Sequence, residues 1–372
     1  MARKAVPLET SRKPSAARNR SCVNMVGQSM KKIGVVGCGY WGANHVRILH
    51  TIPSVAVTAV DPDGARLAEL SRLHVGIATA TDLSQVIDEL SAVVICTPPR
   101  SHGPLVREAL EGGCDVLVEK PLVMSSEECL QLKGLAEELD RVLMVGHTYD
   151  FHPAVDELRT AYARGDLGDM RYLDSARLSI GGYRDDVNVL WDMAPHDIVI
   201  MRRVLDAWPT RVSAWAIDHT NNGVPDVGMI RLEFSEPETV GYIRVSWLDP
   251  VKVRRFTVVG SNQTAIFNDV SDPLSPLRFV DTSSDPRLGE GSLHPLPPGY
   301  RDDAISSPII PASEPLALEV THFLECMDTR EEPRSSAAEG LGVIAILEAA
   351  DLSATTHQPV VVNPSVVPSR ST

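Results

Sequence analysis

The chain has 372 residues, of which 43% are hydrophobic, and a formal net charge of −14 at pH 7. This length predicts two domains. No apolar run approaches the ~18 residues that a membrane-spanning helix needs, so we expect a soluble protein. The negative charge argues against nucleic acid or an anionic membrane as a partner, since both bind basic surfaces.

Six cysteines are scattered without a C-x-x-C spacing. This distribution indicates neither a zinc site nor a disulfide framework, so we expect no metal and a cytoplasmic protein. Residues 1–30 carry six basic side chains and one acidic one, a composition similar to that of an organelle transit peptide. Because Met30 directly precedes the point where a folded domain would begin, we favour a disordered basic leader.

A glycine-rich turn follows the first apolar run, Ile33–Val36. Residues 37–42 read Gly-Cys-Gly-Tyr-Trp-Gly, the G-x-G-x-x-G pattern, and a helix is predicted directly afterwards. Gly37 permits the tight turn, Gly39 lets the main chain approach a pyrophosphate, and Gly42 lets the helix pack closely. The helix N-terminus would then face the phosphates.

An acidic residue follows the second predicted strand, Val55–Val60. Asp61 lies 19 residues after Gly42 (61 − 42), close to the spacing at which a carboxylate meets the ribose 2′-hydroxyl. A carboxylate there would repel a 2′-phosphate. The sequence therefore predicts NAD rather than NADP as the cofactor.

Strand and helix signals alternate up to about residue 150, with strands near residues 92–96, 116–118 and 142–145. This pattern predicts an α/β fold, a doubly wound parallel sheet of the Rossmann type over residues 31–150.

The periodicity changes after Asp150. Alternating strands at residues 170–180, 210–217, 230–234, 240–247, 256–259 and 264–267 predict an α+β domain with a mainly antiparallel, open-faced sheet. We assign residues 151–355 to this substrate-binding domain. It includes a long loop at 272–315 and two terminal helices that return toward the first domain, and a tail follows at 356–372. The open face would support a homodimer or homotetramer.

Lys120 is the first candidate for chemistry. Glu119-Lys120-Pro121 closes a predicted parallel strand, and ligands bind at the carboxyl ends of such strands. The chain has 28 Arg and only 7 Lys, so a lysine retained here favours a functional role over a surface one.

Asp192 and His196 are the second candidate pair. If residues 191–197 are helical, the i and i+4 side chains share one face, and Asp192 could hydrogen-bond and orient the imidazole. Pro195 would require the helix to be kinked or to begin close by. A surface salt bridge is the alternative.

In combination these motifs resemble a known family. The glycine turn, Cys96-Thr97-Pro98-Pro99, Glu119-Lys120-Pro121 and the Asp192/His196 pair, in this order and before an antiparallel sheet, are similar to the Gfo/Idh/MocA (glucose–fructose oxidoreductase/inositol dehydrogenase) family over about residues 31–355. The resemblance implies that Lys120, Asp192 and His196 are catalytic. It implies cofactor contacts from Gly37, Gly39, Tyr40, Trp41, Gly42, Asp61, Thr97, Pro98, His102, Glu119, Lys120 and His147, and substrate contacts from Lys120, Tyr149, Tyr183, Asp192 and His196. His147 stands where many members carry Asn or Phe, which leaves its role open.

Within the family, residues 147–149, 190–192 and 246–254 resemble enzymes that oxidise C3 of nucleotide-linked sugars, some of which supply aminosugar or antibiotic pathways. We therefore expect hydride transfer from a sugar carbinol to NAD⁺. His196, with a pKa near neutrality, would remove the hydroxyl proton, and Lys120 would bind the same oxygen. Lys120 could instead be the base. Two alternatives stay open: an inositol or free-sugar dehydrogenase, which would lack an anion pocket, and a non-catalytic regulator that senses dinucleotide and ligand.

Overall fold

Two sheets organise the residues that this computed structural model describes, which are 30–270, 275–281 and 305–368. The predicted leader lies outside the described residues except for Met30, and so do residues 272–274 and 282–304 of the predicted loop and residues 369–372 of the predicted tail.

The first sheet has six parallel strands in the order β3-β2-β1-β4-β5-β6. Its elements in chain order are β1 (Lys31–Val36), α1 (Tyr40–His50), β2 (Val55–Val60), α2 (Gly64–Leu73), β3 (Ala78–Ala80), β4 (Ala92–Ile95), α3 (His102–Glu111), β5 (Asp115–Glu119), α4 (Ser126–Glu138) and β6 (Leu143–Gly146). Every residue of β4, β5 and β6 is buried, as expected for parallel strands covered on both faces. This confirms the predicted Rossmann-type sheet.

The second sheet has nine strands in the order β14-β13-β12-β11-β7-β10-β9-β8-β15. Its elements and the helices around it are α5 (Pro153–Ala163), β7 (Met170–Ile180), α6 (Val189–Leu205), β8 (Arg211–Ile217), β9 (Val227–Ser235), β10 (Glu238–Ser246), β11 (Leu248–Gly260), β12 (Gln263–Asn268), β13 (Leu277–Asp281), β14 (Ile305–Ser306), α7 (Pro315–Thr329), α8 (Ala337–Thr356) and β15 (Val360–Val361). Only the β7–β10 pair is parallel among the described strands of this sheet.

One face of this second sheet is covered and the other is open. Helices α6 and α8 pack on the covered face, where Trp247 and Phe256 are among the largest fully buried side chains. On the open face large side chains are partly exposed, among them Tyr172, Trp215, Met229 and Tyr242. The predicted open-faced sheet is confirmed.

Three strands of the second sheet lie where none was predicted. The predicted loop at residues 272–315 contains β13 and β14, and the predicted tail contains β15, which pairs with β8 at the edge of the sheet. Strands of two to five residues carry little periodicity of their own. They form here because a neighbouring strand supplies their hydrogen bonds, and for β15 that strand, β8, lies far earlier in the chain.

The terminal helices join the two parts of the molecule. Leu316, Val320 and Phe323 of α7 are buried in one cluster with Ile33 and Leu49 of the first sheet and its helix. Helix α8 packs on α4, α6 and β8, so it spans both sheets. No helix in the described part of the chain has the length and apolar character to cross a membrane.

Candidate active site

The glycine turn between β1 and α1 is shaped to receive a phosphate group. Gly37 has φ +86°, and a Cβ atom there would lie 2.8 Å from the Thr97 main-chain nitrogen. A Cβ atom on Gly42 would overlap the Gly37 carbonyl oxygen, so the helix lies directly against the turn. A Cβ atom on Gly39 would meet nothing within 4 Å. The open space beside Gly39, at the N-terminus of α1, fits a dinucleotide pyrophosphate.

The predicted ribose acid lies beneath this turn. The Asp61 carboxylate is only 3% exposed and accepts hydrogen bonds from the main-chain nitrogens of Cys38 (2.7 Å) and Asp63 (2.8 Å). Arg66, which the sequence analysis did not single out, lies 3.6 Å from the same carboxylate. Asp61 therefore holds the turn in place, and its contact with a ribose stays a prediction.

The side chains of Tyr40 and Trp41 flank the turn, with ring centroids 5.3 Å apart. Tyr40 is largely exposed, whereas Trp41 also borders the cavity that holds the catalytic candidates. Trp41 therefore connects the cofactor turn with the substrate side of the site.

His102 ties two strand ends together. Its ring is fully buried, and its two nitrogens lie 2.8 Å from the carbonyl oxygens of Thr97 and Pro121. The predicted Thr97-Pro98 segment is thereby fastened to the Lys120-Pro121 turn. With both nitrogens engaged, His102 supports the predicted cofactor edge from below.

Glu119 points into the first domain. Its carboxylate lies 3.4 Å from Nε2 of His45, and ligand atoms of His45, Cys96 and Glu119 are within 4.8 Å of one another. Such a donor set can bind a metal only with a deprotonated thiol, but burial, followed by the charge of Glu119, raises the pKa of Cys96 well above its usual range. Burial, followed by the charge of Glu119, likewise raises the pKa of the fully buried Glu319 well above its usual range. Burial therefore favours the neutral forms of Cys96 and Glu319 behind the end of β5. No sequence motif had pointed to His45 or Glu319.

The three catalytic candidates meet in one cavity of about 160 Å³. Lys120 comes from the end of β5, and Asp192 and His196 come from α6 of the second part of the chain. The cavity is also lined by Trp41, Arg177, Lys252 and Arg254.

Asp192 pairs with Lys120 instead of His196. The Lys120 ammonium donates to the Asp192 carbonyl oxygen at 2.6 Å and to its carboxylate at 3.4 Å. The other carboxylate oxygen accepts the Trp247 indole N–H at 3.1 Å. The predicted hydrogen bond from Asp192 to His196 is therefore wrong: the residues share a helix, but both carboxylate oxygens are taken by partners from other elements.

His196 is buried as a neutral imidazole. Burial, followed by the charges of Arg177 and Lys120, lowers the pKa of His196 well below its usual range, which corrects the expectation of a pKa near neutrality. Its Nδ1 is buried without a hydrogen-bond partner, and its ring contacts the Tyr149 ring edge-to-face at 5.1 Å.

Tyr149 lies one layer behind His196. Its hydroxyl donates to Asp269 at 2.7 Å and accepts from Arg177 at 3.2 Å. Arg177 in turn binds both carboxylate oxygens of Asp197, at 3.0 and 3.1 Å. This network packs against His196, so Tyr149, predicted to contact substrate, backs the imidazole in this structure.

His147 lies at the end of β6, close to Lys120. It is 3% exposed, and neither ring nitrogen has a hydrogen-bond partner. Burial, followed by the charge of Lys120, lowers the pKa of His147 to about 3. A neutral imidazole with two unsatisfied nitrogens fits a position that a cofactor or substrate completes.

Tyr183 lies on the connection between β7 and α6. It is about half exposed, and its ring centroid is 6.2 Å from that of Trp247. Gly181 and Gly182 precede Tyr183 and have φ angles of +83° and +78°. After Tyr183, the Asp185 carbonyl oxygen accepts a hydrogen bond from Arg100 of the first domain at 2.9 Å. The segment therefore spans from the second sheet to the first domain beside the cavity.

Models of one protein family match most of this chain. A family model described as an oxidoreductase family with an NAD-binding Rossmann fold, Gfo/Idh/MocA, matches residues 31–147, and the Gfo/Idh/MocA C-terminal domain matches residues 155–266. The chain belongs to the Gfo/Idh/MocA family. Its first domain is the NAD-binding Rossmann domain of that family, and NAD is its cofactor.

Members of the Gfo/Idh/MocA family resemble this chain to different extents. UDP-N-acetylglucosamine 3-dehydrogenase of Acidithiobacillus ferrooxidans is 26% identical over 315 residues, which cover 84% of this chain and 94% of that relative. Inositol 2-dehydrogenase of Corynebacterium glutamicum is 34% identical, but over only 38% of this chain and 44% of that protein.

Solved structures show the same fold. That of the A. ferrooxidans 3-dehydrogenase superposes with a TM-score of 0.74 at 22% identity, covering 88% of this chain and 99% of the other. Levoglucosan dehydrogenase in complex with NADH superposes with a TM-score of 0.76 at 19% identity, covering 90% and 99%. At these identities the likeness establishes the fold alone.

Proposed function

We propose that this protein is an NAD-dependent sugar dehydrogenase that oxidises a secondary hydroxyl, C3 of a nucleotide-linked hexose such as a UDP-sugar. The observation that carries the proposal is the meeting of Lys120, Asp192 and His196 in one cavity, at the carboxyl edge of the Rossmann sheet. The relative that matches along most of its length is named a UDP-N-acetylglucosamine 3-dehydrogenase, which supports this substrate class. We also propose residues 31–150 as the dinucleotide domain and 151–355 as the substrate domain.

The cavity supplies a proton acceptor and a hydrogen-bond donor for the reacting oxygen. The turn at Gly37, Gly39 and Gly42 would hold NAD⁺, which would supply the hydride acceptor for oxidation of the carbinol carbon. Neutral His196 takes the hydroxyl proton as the C=O bond forms, and the Lys120 ammonium stabilises the negative charge that develops on that oxygen. We assign the base to His196 because Lys120 already donates to two acceptors on Asp192.

Positive side chains in the cavity favour a nucleotide-linked sugar over a free sugar as the substrate. Lys252 and Arg254 of β11 and Arg177 of β7 line the cavity, and Asp192 is its one lining carboxylate among the described residues. Arg177 is engaged by Asp197, whereas Lys252 is exposed. A diphosphate would offset this excess of positive charge.

A substrate panel tests this proposal. With NAD⁺, we expect NADH formation from at least one UDP- or dTDP-hexose, and a KM that rises with ionic strength because the diphosphate is bound electrostatically. Lys252→Met should raise that KM about fivefold, as expected for one exposed ion pair. Lys32→Met, which removes the surface partner of Glu89, is the matched control and should change nothing.

Other outcomes of the panel would overturn the proposal. Turnover of free polyols or inositol with no preference for nucleotide-linked sugars would make the protein a free-sugar dehydrogenase. Binding of NAD and sugars without turnover under any condition would favour the non-catalytic regulator.

The open face of the nine-stranded sheet supports a homodimer or homotetramer as a further part of the proposal. Trp215, Met229 and Tyr242 are each 40–49% exposed on this face, beside Arg231 and Arg244. Exposed aromatic side chains grouped in this way are typical of interfaces. Light scattering should give a molar mass of two or four chains for the wild type and a lower mass for Trp215→Arg. A monomeric wild-type protein would contradict this assignment.

A further inference from the structure

The second part of the chain contains two indole–carboxylate hydrogen bonds that involve α6. In the first, the Trp247 indole N–H donates to the Asp192 carboxylate at 3.1 Å, at the wall of the catalytic cavity. In the second, the Trp191 indole N–H donates to Asp351 of α8 at 2.6 Å. Trp191 and Asp351 do not line the cavity. The pairs have the same chemistry, but only the first touches a candidate catalytic group.

Two cationic side chains lie close enough to the Asp192 carboxylate to compete for it. Its Oδ1 lies 3.4 Å from the Lys120 ammonium and 3.8 Å from the Arg184 guanidinium, which approaches from the segment before α6. The side chain of Asp192 is 21% exposed, so burial alone does not fix its rotamer. Rotation toward Arg184 would remove one of the two acceptors that hold Lys120.

Trp247 is placed to hold the Asp192 carboxylate in the orientation that binds Lys120. It lies at the junction of β10 and β11, is fully buried, and is therefore held by packing. The indole is a donor only, and a hydrogen bond to a charged acceptor is stronger than one between neutral groups. By binding Oδ2, it leaves Oδ1 facing Lys120.

We propose that Trp247 is a positioning residue: its indole N–H fixes the Asp192 carboxylate, which in turn holds the Lys120 ammonium at the reacting oxygen. This inference rests on the proposed dehydrogenase function. Trp247 itself contacts neither substrate nor cofactor in this role.

Kinetics of matched variants test the proposal. Trp247→Phe should lower kcat about 10- to 100-fold, the range expected when a catalytic group is misplaced by about 1 Å, while the dissociation constant for NAD stays unchanged. Trp191→Phe, which deletes the other indole–carboxylate bond, should keep kcat within about twofold. Equal losses of kcat in the two variants would overturn the proposal, because they would indicate a packing defect.

A second substitution covers the case in which Trp247→Phe does not fold. Incorporation of β-(3-benzothienyl)alanine at position 247 keeps the bicyclic shape and replaces the N–H with sulfur. The same loss of kcat is expected from this variant, and full activity would overturn the proposal.

An activity-independent measurement separates this inference from the proposed function. The chain has five tryptophans, so ¹⁵N-indole labelling gives few signals, and Trp247→Phe and Trp191→Phe assign two of them. Asp192→Asn should shift the Trp247 indole resonance and leave that of Trp191 in place, and Asp351→Asn should do the reverse. An unshifted Trp247 resonance would overturn the inference even in an active enzyme. A wild type that turns over no sugar, but shows the expected shifts, would overturn only the proposed function.

Discussion

Replacement of Lys120 with alanine is expected to lower kcat about 10²- to 10³-fold while NAD still binds, since one donor to the developing oxyanion is lost. In the structure the ammonium is 2.6 Å from the Asp192 carbonyl oxygen and lines the cavity beside His196, so it is placed for the reacting oxygen. Steady-state kinetics and calorimetric titration with NAD measure the two effects.

Lys120→Arg is the sharper form of this experiment. It keeps the positive charge, but the wider guanidinium cannot fit between Asp192 and the substrate oxygen, so we expect a loss of kcat close to that of Lys120→Ala. Lys133→Arg on α4, where the lysine pairs with Glu137 at the surface, is the matched control and should keep full activity. Near-complete turnover by Lys120→Arg would remove Lys120 from the chemistry.

His196→Asn is expected to lower kcat about 10²- to 10⁴-fold, the range associated with loss of a general base. Asparagine occupies similar space and cannot take up a proton at working pH. His50→Asn, at the exposed end of α1, provides the control and should retain turnover. If His196→Asn turned over at the wild-type rate, the base would have to be another group, with Lys120 the first candidate.

The pH dependence follows from the lowered pKa of His196. The ring is neutral, and able to accept a proton, above that pKa, so kcat/KM should fall only as the pH drops through it, at a midpoint below 6.5. Because the charge of Lys120 contributes to the lowering, Lys120→Ala should move this acid limb to higher pH, whereas Lys120→Arg should not. An acid limb that stayed in place in Lys120→Ala would contradict this coupling.

Local sequence patterns predicted those strands and turns whose residue pattern is complete within one short segment. Strands β2 and β7 have the predicted bounds, Val55–Val60 and Met170–Ile180, because continuous or alternating apolar residues specify buried strands. The glycine turn was predictable because the G-x-G-x-x-G spacing lies within residues 37–42 and directly follows a strand, although the close neighbour of Gly37 is Thr97, far along the chain. Strands β13, β14 and β15 were missed, since they are short and depend on hydrogen bonds from a neighbouring strand instead of a periodic pattern of their own.

Motifs along the chain were sufficient to predict the family, the cofactor and the three side chains that meet at the carboxyl edge of the Rossmann sheet. The contacts among those side chains followed only from the folded chain. Helical spacing predicted that Asp192 would bind His196, four residues away, but the carboxylate binds Lys120 and Trp247, which lie 72 and 55 residues away. Likewise, the pKa of His196 is lowered by burial and by the charge of Arg177 on β7. Hydrogen bonding and desolvation depend on distances in space, and a linear pattern specifies those distances only within one element.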